Sequence, residues 1–301
     1  MAGSQSWSRI GWHGIALDVP EDWCPGRIEG DYANGYLRVE DELSVRLELR
    51  WETARRRLPS ATQLVDNYVK QTRKKTRRKA GEPEVDRGRS VPQLAAVDHE
   101  AFTWRGGFSA HSLLLVDAPS RRVVHLRVFF EEGKERRKLA RHIFASVRTS
   151  SEDGLDQWGA FGLLFNVGSS WRLEQSALRT GCLQFVFHSG GDELEIVRLS
   201  LAEITLRKAP LDKWLESFFA KALRSFRYTL SEDEHHGHPA VRCEGIQRLR
   251  ARPLGFFRRR RHVSALAWHC ELSDKIFAVR MISNRPGDPH VDAYATSIAC
   301  H

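Results

Sequence analysis

The chain has 301 residues, 41% of them hydrophobic and 28% charged, with a formal net charge of +9. That balance excludes an intrinsically disordered chain and describes a globular protein with enough apolar residues to build a core. The longest uncharged apolar stretches, such as Phe161 to Val167, fall well short of the roughly 20 residues that a membrane-spanning helix needs.

In chain order, Gly14 to Val19 reads as a strand running into a turn, Pro20-Glu21-Asp22-Trp23-Cys24-Pro25-Gly26, where prolines and a glycine supply the breaks. Tyr36 to Val39 follows Asn34-Gly35 as a second strand. Leu43, Val45, Leu47 and Leu49 then alternate with Ser44, Arg46 and Glu48, the period of a half-buried antiparallel strand. From Leu64 the period becomes helical: Leu64, Val65, Tyr68, Val69, Thr72 and Thr76 form one stripe. Ser60 and Gln63 stand at the spacing of a capping box. Strands are expected around 97–105, 110–117 and 123–130, and a basic helix near 134–146. Thr149 to Gly154 is a short polar linker.

The same order then returns. Gly14 to Val19 and Trp23 reappear as Gly162 to Val167 and Trp171, and Val45 to Leu49 as Val197 to Leu201. His99-Glu100-Ala101 reappears as His238-Pro239-Ala240, and Ala145-Ser146-Val147 as Thr296-Ser297-Ile298. A period near 150 residues is that of a whole domain rather than of a solenoid repeat. Two tandem domains are therefore expected, at 1–150 and 155–301. At constant offset the second helix carries Trp214, Leu215, Phe218, Phe219, Ala222 and Phe226, a far greasier stripe. Strands around 239–250, 263–271 and 275–282 and a helix from Val291 to Ile298 complete the copy. The expected fold class is α+β: two repeats of an antiparallel sheet flanked by helices.

These elements resemble the PsbP-like superfamily. The likeness is carried by Val19-Pro20 to Trp23, Leu37 to Leu49, the 61–79 helix, the turn before His99-Glu100-Ala101, and the closing Phe144-Ala145-Ser146-Val147. In the second copy Gly237-His238-Pro239-Ala240 is similar to the family's Gly-x-x-Ala turn. The resemblance implies a helix-flanked sandwich that binds without catalysis. The superfamily includes a photosystem II extrinsic subunit, a Ran-binding nuclear import factor and chaperones for type VI secretion effectors. No functional residue of those proteins maps onto a motif here, so none is carried over, and fold likeness alone fixes no function.

Charge is uneven. Residues 1–150 hold 27 basic and 20 acidic side chains, so most of the excess belongs to the first domain. Lys70 to Lys79 contains seven basic residues in ten, and Arg73, Lys74, Lys75, Arg77, Arg78 and Lys79 are the first candidate binding residues. Positive charge near a helix C-terminus is favoured by the macrodipole, but seven residues exceed what that needs. Pairing with phosphates or with an acidic protein surface are the functional readings. Arg258, Arg259, Arg260 and Arg261 follow Phe256 and Phe257 in what reads as a hairpin tip, the second candidate. There the alternative is a surface loop whose phenylalanines fold back onto the domain.

Five cysteines with no CxxC spacing read as reduced thiols. The first residues lack the charged-then-apolar layout of a secretory signal, so a cytoplasmic protein is expected. His235, His236 and His238 with Cys243, His269 and Cys270 are ligands of the right type for a metal. His238 and Cys243, five apart in a strand, point to opposite faces, so no metal or other cofactor is expected. No GxSxG, HExxH, GxxxxGK[ST] or GxGxxG occurs. The function expected is a non-catalytic adaptor, chaperone or assembly factor whose basic surfaces engage an acidic protein. The alternative is a nucleic-acid-binding accessory protein.

Overall fold

The computed structural model describes residues 5–55, 57–80, 82–131, 133–149, 153–248, 260–285 and 290–300. The chain divides into two compact units, Met1–Gly162 and Leu163–His301.

The first unit opens with the hairpin β1 (Trp7–Trp12) and β2 (Ile15–Pro20) and continues through β3 (Cys24–Gly30), β4 (Asn34–Glu40) and β5 (Val45–Thr53) to helix α1 (Ala61–Ala80). Strands β6 (Glu84–Arg89), β7 (Asp98–Arg105), β8 (Ser109–Asp117) and β9 (Arg122–Phe129), helix α2 (Arg137–Ser146) and strand β10 (Leu155–Ala160) complete it. Seven strands form one antiparallel sheet in the order β3-β4-β5-β9-β8-β7-β6. Its central contact, β5 against β9, joins segments far apart in sequence, so the sheet closes only when the last strand arrives. β1 pairs with β2 on one side and β10 on the other. His13 and Gly14, both left-handed at φ 52° and 75°, form the two-residue turn whose twist suits a tight hairpin. Gly11 faces Gly159 across β1 and β10. A Cβ on Gly11 would collide with the Gln157 carbonyl, so only glycine permits that approach.

The second unit contains β11 (Leu163–Gly168), β12 (Arg172–Arg179), β13 (Cys182–Ser189) and β14 (Asp192–Ser200). Three short helices follow, α3 (Ala202–Leu206), α4 (Leu211–Phe218) and α5 (Ala220–Leu223). Then come β15 (Phe226–His235), β16 (His238–Gln247), β17 (His262–Cys270), β18 (Lys275–Ser283) and α6 (His290–Thr296). Its sheet runs β12-β13-β14-β18-β17-β16-β15, element for element the order of the first.

The α+β expectation is corrected here. Eighteen strands stand against six α-helices among the described residues, four of them eight residues or shorter, so the protein is mostly β and not a helix-flanked sandwich. The greasy stripe expected to run as one helix to Phe226 is broken. Phe219 leaves helical geometry at φ −94°, ψ 14°, and Phe226 begins an edge strand that the helical spacing had absorbed. Leu43, expected on the buried face of the third strand, is 86% exposed, because the strand proper starts at Val45.

The hydrogen-bond ladders align the two copies by their charged rungs. Glu48 lies opposite Arg127 across β5 and β9, and Glu195 opposite Arg280 across β14 and β18. Carried outward, that register equates Glu48 with Glu195 rather than Ser200, and Phe102 with Cys243 rather than placing Trp104 there.

α1 begins as its capping box directs: the Gln63 amide donates to Ser60 Oγ and the Ser60 amide to Gln63 Oε1, both at 3.2 Å. Ala61, Val65 and Val69 bury their side chains against Phe102, Trp104, Leu114, Val116 and Val123. Each fully buried valine contributes roughly 1.5–3 kcal/mol. On the opposite sheet face Leu37, Val39, Leu47, Leu49, Leu113 and Leu126 are buried, as are Ile15, Leu17 and Val19 of β2 and Ile143 of α2.

Arg122, at the start of the central strand β9, is wholly buried. It donates from Nη1 to the His13 carbonyl and from Nη2 to the Tyr32 carbonyl, each at 2.5 Å, and its guanidinium lies 3.6 Å from the Tyr32 ring centroid. Hydrogen bonds from a charged donor are worth about 1.5–3 kcal/mol each. Arg122→Leu is expected to lower the unfolding free energy by about 3 kcal/mol or more in urea titrations at pH 7. The exposed control Lys138→Ala should stay within about 0.5 kcal/mol.

Candidate functional site: the open face of the first sheet

α1 covers only the β7-β8-β9 half of its sheet face. Beyond it, among the described residues of this unit, no element lies over β3, β4 and β5, and the strands there present polar side chains. The ladder sets these in rows. One row runs Glu29, Tyr36, Arg50, His125 and Leu114; the next runs Arg38, Glu48, Arg127 and Ser112. Alternating sign along a row is favourable, since cross-strand neighbours of opposite charge attract.

Between this floor and the flank of α1 lies a cleft of about 910 Å³, lined by Arg27, Glu29, Tyr36, Arg50 and Glu52 from the sheet and by Asn67, Tyr68 and Gln71 from the helix. Tyr36 is its centre. The Arg50 guanidinium sits 5.2 Å and that of Arg27 6.0 Å from its ring centroid, within reach of cation–π attraction. The Tyr36 hydroxyl donates to Glu48 at 2.6 Å, and Glu48 also receives Arg127. Burial, then the hydrogen bond to that carboxylate, push the phenol up to about 12. At one end the Trp51 indole donates to the Asp31 carbonyl at 2.9 Å. Its ring occupies the space a side chain on Gly35 would need. The Asp31 carboxylate accepts the amides of Ala33 and Asn34 at 2.8 and 2.9 Å, fixing the hairpin that carries Asn34 and Tyr36.

At the back of the cleft His125 meets the edge of Tyr68 at 4.7 Å, and its Nε2 is sealed from solvent without a hydrogen-bond partner. Burial, then the positive charge of Arg127 and Arg50, push its pKa down to about 3, so the ring is neutral. On the other sheet face His111 is pushed down to about 4, mainly by burial.

The second unit closes the same ground. Arg280 and Glu195 repeat the charged rung, but their side chains are 4% and 7% exposed, against 18% and 17% for Arg127 and Glu48. Phe219 lies 5.4 Å from the Arg280 guanidinium, and Trp214, Leu215 and Leu223 fill the core beside it.

Of the residues singled out by charge, Arg73, Lys74 and Lys75 are exposed on α1, past Val69, the last buried side chain among its described ones. Arg77, Arg78 and Lys79 lie in the last turns of α1, with their side chains outside the described residues. Arg260 is exposed. Arg261 is half-buried, its Nη2 donating to the Gly191 carbonyl at 2.9 Å. Phe256, Phe257, Arg258 and Arg259 lie outside the described residues. The cleft residues Tyr36, Arg50 and His125 carried no motif; only the pairing of distant strands assembles them. Among the described residues one cluster has metal-ligand chemistry, and its composition differs from the sequence expectation: His238 and Cys270 meet Cys300, while Cys243 is buried beneath α4 and α5.

No family model matches the chain, and no curated protein does. The PsbP-like resemblance therefore rests on the quoted residues alone. Among solved structures the chain is similar to the apo form of the immunity protein TplEi of a type VI secretion system from Pseudomonas aeruginosa. Identity is 10%, over 98% of this chain and 97% of that one, with a TM-score of 0.34. The same protein complexed with "L" peptide matches at 10% identity over 97% of each chain, with a TM-score of 0.33. Scores at this level carry no assignment of function.

Unfolded histidines titrate near 6.5, and His111 and His125 are depressed in the fold. In that interval only the unfolded chain takes up these protons. Their contribution is thus fully present above about pH 6.5 and is lost as pH falls toward 4. Urea midpoints should therefore drop between pH 7 and pH 4.5, and His125→Phe should make that drop shallower. An unchanged drop would show that the folded protein protonates His125 as readily as the unfolded chain does.

Proposed function

We propose that this is a non-catalytic binding protein whose first unit receives an acidic segment of a protein partner. The segment would lie across the open β3-β4-β5 face and against the far half of α1. The observation that carries this reading is the contrast between the copies: the second unit's charged rung is nearly sealed, at 4% and 7% exposure, while that of the first keeps 18% and 17% and has the arginine-flanked Tyr36 cleft beside it. An uncovered row of paired charges with an arginine-flanked tyrosine supplies the planar, polar anchors that recognition surfaces favour.

The continuation of α1 supports the same reading. Beyond Val69 the helix buries no apolar side chain among its described residues, yet runs on for about three turns. Good helix formers such as Lys, Arg and Gln sustain it, and the result is a basic arm beside the cleft. Catalysis has less support: the cleft is lined by no serine, cysteine or lysine. Its histidine is neutral and its phenol holds its proton.

The pairing of the floor arginines moves the charge contact with an anionic partner away from the floor, toward Arg50 and the basic arm of α1. Arg27 is bound to Glu29, Arg38 to Glu40 and Arg127 to Glu48, so an acidic segment or a phosphate backbone laid on the floor would meet a carboxylate beside each of these arginines, and salt dependence tells the two partners apart. The test is retention of partners from the source cells on immobilised protein at physiological salt, followed by affinity measurement on each retained protein. Joint charge reversal at Arg73, Lys74 and Lys75 should weaken the complex at least about tenfold, and Arg50→Glu likewise, with thermal midpoints nearly unchanged. Random-sequence DNA bound at micromolar affinity in the same buffer, with a salt slope reduced by those reversals, would replace this reading with the nucleic-acid one.

A further inference from the structure

The second unit holds a buried cluster that the proposed function does not use. His238 opens β16 and Cys270 closes β17. The ladder pairs Ala240 with Trp268, so two residues further along His238 and Cys270 come opposite one another. Cys300, beyond α6, reaches the same point. All three are buried, and Nε2 of His238 and the Sγ atoms of Cys270 and Cys300 lie within 4.8 Å of one another. Cys300 Sγ and His238 Nε2 are 3.4 Å apart, and Cys270 Sγ points at the Cys300 carbonyl at 3.7 Å.

We propose that His238, Cys270 and Cys300 form a binding site for a thiophilic d¹⁰ cation, zinc or copper(I). Metal–sulfur bonds of about 2.3 Å and metal–nitrogen bonds of about 2.0 Å place tetrahedral ligands roughly 3.5–3.8 Å apart. The cluster already matches that edge length at one pair and needs shifts of about 1 Å or less at the others. Thiolate and imidazole are the donors that select such cations over hard ones such as magnesium. Two of the ligands sit at adjacent strand ends in one sheet, which fixes their separation. The third lies near the end of a segment anchored by α6 and by the buried Ile298. Binding releases the two thiol protons and ties that segment to the sheet. The proposal is independent of the reading of the first unit.

The experiment uses the full chain, reduced and stripped of metal, titrated anaerobically with zinc, with copper(I), and with cobalt(II) as a spectroscopic stand-in for zinc. Cys24→Ser and Cys182→Ser, the less buried thiols, form the background. The expected result is one equivalent of zinc or copper(I), with a thiolate-to-cobalt charge-transfer band. Cys270→Ser, Cys300→Ser and His238→Gln should each weaken binding at least about 100-fold while far-ultraviolet circular dichroism stays native. The arm that saturates at one equivalent with the lower Kd names the cation. Binding that survives Cys300→Ser, or no stoichiometric binding in either arm, would overturn the site. So would a Cys270–Cys300 disulfide in the protein as isolated, shown by a count of three free thiols. If a single variant fails to fold, alkylation of the unsubstituted chain in mild denaturant settles the question: cation should slow iodoacetamide at Cys270 and Cys300 relative to the metal-free protein, and leave the rate at Cys24 unchanged.

Discussion

The first unit is organised around its most deeply buried cation. Arg122 stands at the head of the central strand and holds the carbonyls of two separate turns, one from the β1-β2 hairpin and one from the β3-β4 hairpin. A guanidinium in an apolar interior is tolerable only when its donors are met, so these turns must be in place for the strand to dock. The β3-β4 hairpin in turn carries Tyr36 and the wall of the cleft. In the second copy the same ladder position is Lys275, which has one ammonium in place of a planar fork and cannot reproduce that two-armed grip.

The two copies share strand order and a charged central rung, and they diverge in what lies over it. Where aromatic side chains from short helices cover the rung, burial must be repaid by tight pairing, and Arg280 contacts both Glu193 and Glu195. Where a single long helix stands to one side, the rung keeps 18% and 17% of its side-chain surface exposed, with Arg127 against Phe108 and Phe129. One architecture thus yields a more closed rung and a more open one. The difference is consistent with the larger share of unbalanced basic charge in the first half.

Much of this was legible in the residues, for reasons of range. The capping box at Ser60 and Gln63 and the alternation through Leu47 and Leu49 are local patterns, and the structure contains both. The β15 edge strand was hidden because Phe226 happens to continue a helical stripe, and the helix-flanked sandwich failed with it. The cleft was not readable at all. Glu48 and Arg127 are 79 positions apart and meet only through the β5-β9 closure. Cys300 and His238, 62 apart, are likewise brought together by tertiary packing. The run from Lys70 to Lys79 was conspicuous, whereas the carboxylates that neutralise the arginines of the sheet could not be assigned to them before the ladder was known.

The way α1 outruns its packing has a consequence for dynamics. Its first two turns are pinned by a cap and three buried side chains, while residues 70–75 have only their own hydrogen bonds, and isolated helices of that length are marginal in water. Amide protons should therefore exchange along a gradient, protected near Val65 and quick beyond Val69, with opening free energies far below that of global unfolding. A partner seated there would bear the entropy of ordering the arm and would gain in exchange a contact that is easily released.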